Sequence, residues 1–323
     1  MTTARSTPSP IAARLRREYA AEVYAHIHDV GSDAEAARDL LLHIALAVGA
    51  AAGCAWLTGL TPFGWLAYPL VVFFIGTRFR AMGNMLHEAS HGVLVRGKRR
   101  NALWGRVLAV LDFTRLEPYT EEHFSHHRHL GHPTKDLDFV SRQKFGFGQP
   151  EPRFILRHYL RPLTLFHVPT FLRPIFFHRE DPWAVRLGRL LYVGVLVGLG
   201  AWLGPWPVLL YFVLPYVTAY QVIRYWSDAV DHAGAMQRED EFHRSRNHIF
   251  RVELLNRILF PRYDEFHLTH HIFPAVPVRH QPKVHALLMK DPEYAARCHD
   301  ILGLHHEAAL PLAAQAEAPA QAA

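Results

Sequence analysis

The chain has little cysteine and no recognisable nucleic-acid-binding motif. Cys54 and Cys298 are the only cysteines among 323 residues, and they stand far apart without a CxxC spacing. This excludes a disulfide framework, a thiolate zinc module and a fused iron–sulfur electron carrier. The formal net charge is +6, but no basic run accompanies a nucleic-acid motif. We therefore expect anionic lipid, and no nucleic acid, as the partner of this charge.

Neither end of the chain resembles a secretory targeting segment. The first 20 residues are rich in arginine, proline, serine and alanine, with no apolar core followed by a cleavage site. Residues 307–323 are rich in alanine, proline and glutamine, a composition that predicts a disordered tail. We expect a cytoplasmic N-terminal segment over residues 1–39, a membrane and cap domain over 40–306, and this tail.

Long hydrophobic runs are prominent, and hydrophobic residues make up 50% of the chain. Two short links, at residues 61–62 and 204–205, punctuate these runs with proline and glycine and predict two helical hairpins. A bilayer requires about 20 residues of helix, and four stretches satisfy this length: residues 40–60, 63–82, 185–203 and 206–226.

The basic residues orient these predicted spans. Neither link carries lysine or arginine, whereas basic residues flank the other span ends, for example Arg78, Arg80, Arg96 and the run 98–100. The positive-inside rule then predicts a multi-pass protein of the cell membrane with both termini in the cytoplasm. The alternative is a soluble helical protein with unusually apolar core helices.

The region between the hairpins, residues 145–181, interleaves aromatic residues with arginine and proline. This pattern predicts one or two interfacial helices, with aromatic rings at the level of the lipid headgroups and arginines reaching phosphates. Lipid anchoring and binding of an acidic substrate head group are both compatible with it.

Histidine is unusually abundant, with 24 residues, and three clusters stand out. His87 and His91 are four residues apart, and the segments 123–127 and 267–271 both have the pattern HxxHH. Residues at these spacings share one face of a helix and can converge on a metal ion. A metal transporter would need polar ligands within its spans, and these spans contain almost none.

These motifs resemble those of the membrane fatty acid desaturase and hydroxylase superfamily. The resemblance covers about residues 40–290 in the order of spans and motifs. It rests on LHEASHG at 86–92 followed by Asn101, on KDLD at 135–138, and on FHLTHHIFP at 266–274. It implies an all-α integral membrane fold: four transmembrane helices in two hairpins, capped by a cytoplasmic helical di-iron domain.

The resemblance also implies two iron ions as cofactors, held by the three clusters and by one further histidine after the fourth span. The implied ligands are His87, His91, His123, His126, His127, His232, His267, His270 and His271.

Acidic residues near these histidines are a further set of candidates. Some desaturases have an asparagine four residues before the histidine that corresponds to His232, and here that position is Asp228. Asp228 is thus a candidate catalytic residue, as a direct or bridging carboxylate ligand or only as a hydrogen-bond partner of the site. Outer carboxylates commonly orient imidazoles, and the candidates for this role are Glu88, Asp136, Asp138, Asp231 and Glu265.

By this resemblance the chain is a membrane-bound non-haem di-iron oxidase. It would use O₂ as co-substrate, and electrons, to desaturate an acyl chain or a similar aliphatic substrate at the lipid bilayer. Because the sequence has no HPGG haem segment and no cluster-forming cysteines, an external donor of the ferredoxin or cytochrome b5 type, with its reductase, must deliver the electrons. A hydroxylase or other monooxygenase with the same site, and a non-enzymatic metal-binding membrane protein, are the alternatives.

Overall fold

The computed structural model describes residues 9–149, 152–172 and 181–304. Over these ranges the regular structure is helical, and the only β-type pairing is an isolated bridge between Ile249 and Asp300. The all-α prediction is therefore confirmed. The predicted tail at 307–323 lies outside the described residues.

The helices follow one another in a simple order along the chain. They are α1 Pro10–Glu18, α2 Ala20–His28, α3 Asp33–Leu60, α4 Tyr68–Ser90, α5 Lys98–Leu111, α6 Leu116–His129, α7 Leu137–Arg142, α8 Val168–Phe171, α9 Trp183–Leu203, α10 Pro205–Val208, α11 Leu214–Val217, α12 Ala219–His232, α13 Glu241–Arg244, α14 Glu253–Leu259, α15 His267–Ile272, α16 Gln281–Leu288 and α17 Pro292–Ala295. Single helical turns occupy Pro62–Ala67, Gln143–Phe145, Arg161–Thr164, Asp264–Phe266 and Val278–His280, and wider π-type turns occupy Ile155–Leu160 and Leu209–Val213.

The chain forms two compact units, each assembled from separate stretches of sequence. Unit 1 comprises Met1–Val30, Glu117–Pro162 and Trp226–Ala323. Unit 2 comprises Gly31–Leu116 and Leu163–Tyr225.

Four helical segments in the described part of the chain are long and apolar enough to cross a membrane, as the sequence predicts. They are Asp33–Leu60, Pro62–Ser90, Trp183–Leu203 and Pro205–His232. The first begins seven residues earlier than the apolar run at residue 40, because a capping box fixes its start. Ser32 Oγ accepts a hydrogen bond from Glu35 N at 3.2 Å, and Ser32 N donates to Glu35 Oε2 at 2.8 Å.

The fourth segment is less regular than the other three. Pro215 has no amide hydrogen to donate to the preceding turn, and the helix widens over Leu209–Val213 before continuing as α11 and α12. α12 then extends to His232, and α4 likewise extends to Ser90. Two of the spans therefore end on predicted metal ligands or directly beside them.

Unit 2 brings two of its helices close together at a glycine. The α4 residue Gly76 lies against the start of α12, and an ideal Cβ at this position would be 2.9 Å from both Ala219 Cβ and Tyr220 N. An aromatic core forms next to it, in which Phe79 contacts Tyr220 with ring centroids 5.7 Å apart. The absence of a side chain at Gly76 therefore permits this approach.

Substitution of Gly76 by alanine is expected to destabilise the protein by about 1–3 kcal/mol, because the added methyl group overpacks the contact. Alanine would otherwise favour a helix over glycine by about 1 kcal/mol. Gly53→Ala on α3 is the matched control, since its Cβ would meet nothing within 4 Å. Thermal unfolding in detergent measures both variants, and equal melting temperatures for the two would contradict this account of Gly76.

Unit 1 has a core that supports the third histidine cluster. Leu268 and Ile272 of α15 pack with Val284 of α16 and with Ala12 and Leu15 of α1. The first four of these residues are buried to 1% exposure or less, and Leu15 is completely buried. The apolar face of α15 is thereby fixed, which leaves its histidines on the other faces.

The predicted interfacial region is only partly described, since residues 150–151 and 173–180 lie outside the described ranges. The described part contains short helical turns, including Arg161–Thr164 and, in unit 1, Ile155–Leu160. Ile155, Leu156 and Leu160 are exposed there. A lipid-anchoring role of this region stays a prediction.

Candidate metal centre

Seven of the nine predicted ligands are residues of unit 1, and they lie on three helices. The spacing of the two HxxHH motifs produces helices, α6 and α15, on which the first and last histidines share a face. The end of α12 supplies His232.

One group of imidazoles consists of His123, His127 and His270. Nε2 of His127 lies 3.0 Å from Nε2 of His123 and 3.1 Å from Nε2 of His270. The ring centroids of His127 and His270 are 4.8 Å apart, and the rings are nearly perpendicular at 76°. The three ring nitrogens thus point at a common position.

A second group consists of His126, His232, His267 and His271. His126 Nε2 lies 3.1 Å from His232 Nε2, which lies 2.8 Å from His267 Nε2. His271 Nε2 completes the set, 3.0 Å from His267 Nε2. Two pairs of consecutive histidines are therefore divided between the groups, with His126 and His127 facing different positions, as do His270 and His271.

A bound metal ion would explain the short Nε2–Nε2 distances within each group. Neutral imidazoles present lone pairs at Nε2, and lone pairs that face one another at about 3 Å repel unless a proton or a cation lies between them. Two nitrogen ligands at right angles on an ion with bonds of about 2.1 Å are themselves about 3 Å apart. Imidazole sets of this kind suit iron, zinc, copper or nickel.

Polar contacts on the outer nitrogens define the tautomer of three members of the second group. His232 Nδ1 donates to the carbonyl oxygen of Arg244 at 2.9 Å. His126 Nδ1 lies 3.2 Å from both carboxylate oxygens of Asp136, and His267 Nδ1 lies 3.5 Å from Asp231 Oδ2. Carbonyl and carboxylate oxygens only accept, so Nδ1 carries the proton and the Nε2 lone pair faces the group.

Asp136 is the best-defined of the predicted orienting acids. It is completely buried and accepts hydrogen bonds from Gly131 N at 2.8 Å and Phe139 N at 2.9 Å. Burial alone would raise its pKa, but His126 and the two amides outweigh burial and hold the pKa at about 2. Burial acts in the opposite sense on His126, yet the carboxylate raises the pKa of that imidazole.

The other acidic candidates occupy different environments. Asp138 forms an ion pair with Arg142. Burial raises the pKa of Glu265 to about 8, so this carboxyl group is mostly neutral at pH 7. Glu88 is buried on α4 in unit 2.

Asp231 has a second partner that sequence spacing does not reveal. Its Oδ1 lies 3.2 Å from Nδ1 of His248, a completely buried histidine outside the three clusters. The carbonyl of Arg244 that fixes His232 was missed in the same way. Arg244 is the last residue of α13 and His248 lies in the loop that follows it, and no residue type or spacing in the sequence signals either contact.

Unit 2 carries the remaining predicted pair. His87 lies on the last turn of α4 and His91 directly follows this helix, with ring centroids 4.9 Å apart. Burial lowers the pKa of His91 to about 4, so its imidazole is neutral at physiological pH. The spacing of four residues thus produces a neighbouring pair.

Asp228 contacts an arginine in the structure. Its Oδ2 accepts from Arg142 Nε at 2.9 Å and from Nη2 at 2.8 Å. Among the described residues, the two groups of candidate ligands do not include it. The geometry favours the hydrogen-bonding alternative for Asp228, and a role as a direct ligand stays a prediction.

We expect Asp228→Asn to retain the full metal content and to lower activity by no more than about 10-fold, because its carboxylate pairs with a guanidinium. Arg142→Met removes the same ion pair and should have an effect at least as large. Metal analysis of purified protein and turnover assays measure both. Loss of metal in Asp228→Asn, with full metal in Arg142→Met, would instead identify Asp228 as a ligand.

Comparisons with known proteins agree with this geometry. Residues 63–301 match the model of the family described as "Fatty acid desaturase". The chain is 28% identical over 254 residues to "Dihydrorhizobitoxine desaturase" of Bradyrhizobium elkanii, an alignment that covers 72% of this chain and 70% of that protein. It is 26% identical over 267 residues to "Omega-3 fatty acid desaturase, chloroplastic" of Glycine max, covering 72% of this chain and 55% of that protein. The family match spans most of the chain, and this protein therefore belongs to the fatty acid desaturase family.

Proposed function

We propose that this chain is a membrane-bound non-haem di-iron oxidase that uses O₂ and electrons to desaturate an acyl chain or a similar aliphatic substrate. The observation that carries this proposal is the pair of converging imidazole groups in a chain with four candidate membrane spans. Membership of the desaturase family and two relatives named as desaturases support it.

In this proposal the two groups of histidines hold one iron ion each. His126, His232, His267 and His271 hold one ion. His123, His127 and His270 hold the other, and the pair His87 and His91 completes that set. Bound iron supplies the redox chemistry that activates O₂ for the removal of hydrogen from an unactivated C–H bond, which zinc cannot do.

The residues around the histidines orient their Nε2 lone pairs for metal binding and keep the imidazole of His271 neutral. Asp136, Asp231 and the carbonyl of Arg244 hold the Nδ1 protons and so direct the Nε2 lone pairs inward. His271 is nearly inaccessible, at 2% exposure, and burial together with the neighbouring imidazoles keeps its pKa well below the usual value. A neutral ligand that does not have to lose a proton binds a cation at neutral pH.

We propose that the protein lies in the cell membrane with both termini and the histidine groups on the cytoplasmic side. The support is the placement of basic residues outside the two short links. An aliphatic substrate can then reach the site from the bilayer. An external ferredoxin or cytochrome b5-type donor would supply electrons, because the sequence has no set of cysteines for a cluster of its own.

The substrate need not be a fatty acid. One relative is named for dihydrorhizobitoxine and the other for a fatty acid, so both amino-acid-like and acyl substrates belong in the search. Desaturation removes two hydrogens, whereas the hydroxylase alternative adds one oxygen, and mass spectrometry distinguishes the two products.

The test is a comparison of lipids and metabolites from cells that express the wild type or His127→Ala. We expect a product two hydrogens lighter than its precursor in the wild type alone. Purified protein should form the same product with O₂, iron and a reductase system. A product heavier by one oxygen would indicate a hydroxylase. Iron binding without O₂ consumption or product would indicate a non-enzymatic metal-binding protein and contradict the proposal.

A further inference from the structure

We propose that α1, near the N-terminus, is part of the metal centre, and that Arg16 is a positioning residue for the ligands on α15. This inference rests on the proposed iron sites and adds a residue outside the family match, which begins at residue 63. The sequence alone predicted residues 1–39 as a separate cytoplasmic segment. In the structure, residues 9–30 belong to unit 1, and they are the described part of the stretch Met1–Val30.

The contact is made at the C-terminal end of α15. Arg16 Nε donates to the carbonyl oxygen of Ile272 at 2.8 Å, and Nη2 donates to the carbonyl oxygen of His271 at 3.2 Å. The last carbonyls of a helix have no partner within the helix, and they carry the negative end of its dipole. A guanidinium satisfies both carbonyls at once and has the matching charge.

An acidic residue holds the guanidinium in place. Glu241 Oε1 lies 2.7 Å from Arg16 Nη2, and this carboxylate is mostly shielded from solvent, with 18% of its side chain exposed. Arg16 is thereby held between the start of α13 and the end of α15. Its planar fork can bond to two carbonyls and a carboxylate together, which the single ammonium of lysine cannot do with the same geometry.

Two further contacts dock α1 independently of Arg16. Ala12 and Leu15 are completely buried in the core shared with Leu268 and Ile272. Arg14 donates to both carboxylate oxygens of Asp291, at 2.6 and 2.9 Å. α1 is therefore anchored firmly enough for Arg16 to act on α15 rather than follow it.

His271 connects Arg16 to the metal centre, because its carbonyl accepts from Arg16 and its imidazole is a proposed iron ligand. Its Nε2 lies 3.0 Å from Nε2 of His267. α15 is only six residues long, so a shift of its last turn moves this imidazole directly. Metal sites tolerate displacements of about 0.5 Å. Arg16 therefore acts on the iron held by the second group, through the backbone that carries His271.

The experiment compares Arg16→Met with wild-type full-length protein loaded with ⁵⁷Fe under a fixed concentration of chelator. We expect iron affinity at one of the two sites to fall by about 10–100-fold, as for loss of an outer partner of a metal ligand. Iron content should fall from two ions towards one per chain, and one of the two Mössbauer signals should change. Arg16→Lys should give an intermediate result, because lysine can keep the pair with Glu241.

Two arginines on the same helix provide matched controls. Arg17 is exposed, and Arg17→Met should behave like the wild type. Arg14→Met removes the ion pairs with Asp291 and Glu293 without touching α15. It should lower the melting temperature and still retain two irons. This pair of variants separates docking of α1 from the contact with α15.

A measurement without metal covers the case in which Arg16→Met binds iron poorly because it folds poorly. Hydrogen exchange of residues 267–273 in the metal-free protein should be faster in Arg16→Met and Arg16→Lys than in Arg14→Met. Two outcomes would overturn the role of Arg16 without contradicting the proposed function. One is two bound irons with an unchanged spectrum in Arg16→Met, and the other is equal iron loss in Arg14→Met and Arg16→Met. A wild type that binds no iron would contradict the proposed function as well.

Discussion

Replacement of His127 by alanine is expected to remove one of the two proposed irons and to lower turnover by more than about 100-fold. His127 is the central member of its group, since its Nε2 lies about equally far from those of His123 and His270, at 3.0 and 3.1 Å. Its loss leaves two imidazoles of that group in unit 1. Loss of an outer partner already costs about 10–100-fold, and loss of a ligand should cost more.

His129→Ala is the matched control for this experiment. His129 is on the same helix, two residues further along, and lies outside both groups of candidate ligands. Iron analysis, product formation and the melting temperature of both variants should be measured together. Full iron and full activity in His127→Ala would show that this histidine is not a ligand and would remove the basis for the first group.

Asp136→Ala is expected to destabilise the protein by about 3 kcal/mol or more, since each donor left without its acceptor costs about 1–3 kcal/mol. The substitution leaves three donors without an acceptor: Nδ1–H of His126 and the amides of Gly131 and Phe139. His126 would also lose the group that fixes its tautomer, so iron content should fall with stability. Chemical unfolding of the metal-free protein and iron analysis measure the two effects separately.

The contribution of Asp136 should also depend on pH in a defined direction. Its pKa is about 2 in the folded protein, below the usual value of 3.8 for an aspartate. A depressed pKa stabilises the fold at pH values above the unfolded pKa, and this contribution disappears as pH falls towards the folded pKa. The shift corresponds to about 2 kcal/mol. Because Asp136 also raises the pKa of His126, the stability difference between wild type and Asp136→Asn should increase as pH falls from 7 to about 5, and it should then decrease below about pH 4.

An exposed acid on a neighbouring loop provides the control. Glu239→Gln, at an exposed position, should change stability by less than about 0.5 kcal/mol at each pH. A difference between wild type and Asp136→Asn that does not decrease between about pH 4 and pH 2 would contradict the assigned role of Asp136.

The sequence predicted the local features of this protein and missed those that depend on distant contacts. The apolar stretches and the spacing of histidines within 123–127 and 267–271 are local patterns, and each produced the expected helix. The start of α3 is also determined locally, by Ser32 and Glu35. The prediction placed this start at residue 40 because it followed the apolar run, and the helix begins at Asp33.

Partners of the site were harder to predict because they come from far along the chain. Arg142 pairs with Asp228 across 86 positions, and Arg16 reaches Ile272 across 256. Neither arginine stands in a motif, and either would be read as an ordinary solvated or lipid-facing charge. The proposed role of His232 as a ligand came from the family resemblance, since it is a single histidine at a helix end.

The order of the segments in unit 1 has a consequence for biosynthesis. The first group joins α6 to α15, and two candidate membrane spans lie between these helices in the sequence. Neither proposed histidine group can be complete until the ribosome has made α15, which follows both later candidate spans in the sequence. α1 is synthesised before the other described helices, but it can dock only after α15 and α16 have been made, because its apolar face packs on residues of both. In the proposed function, completion of the two iron sites is therefore a late event in the biosynthesis of the chain.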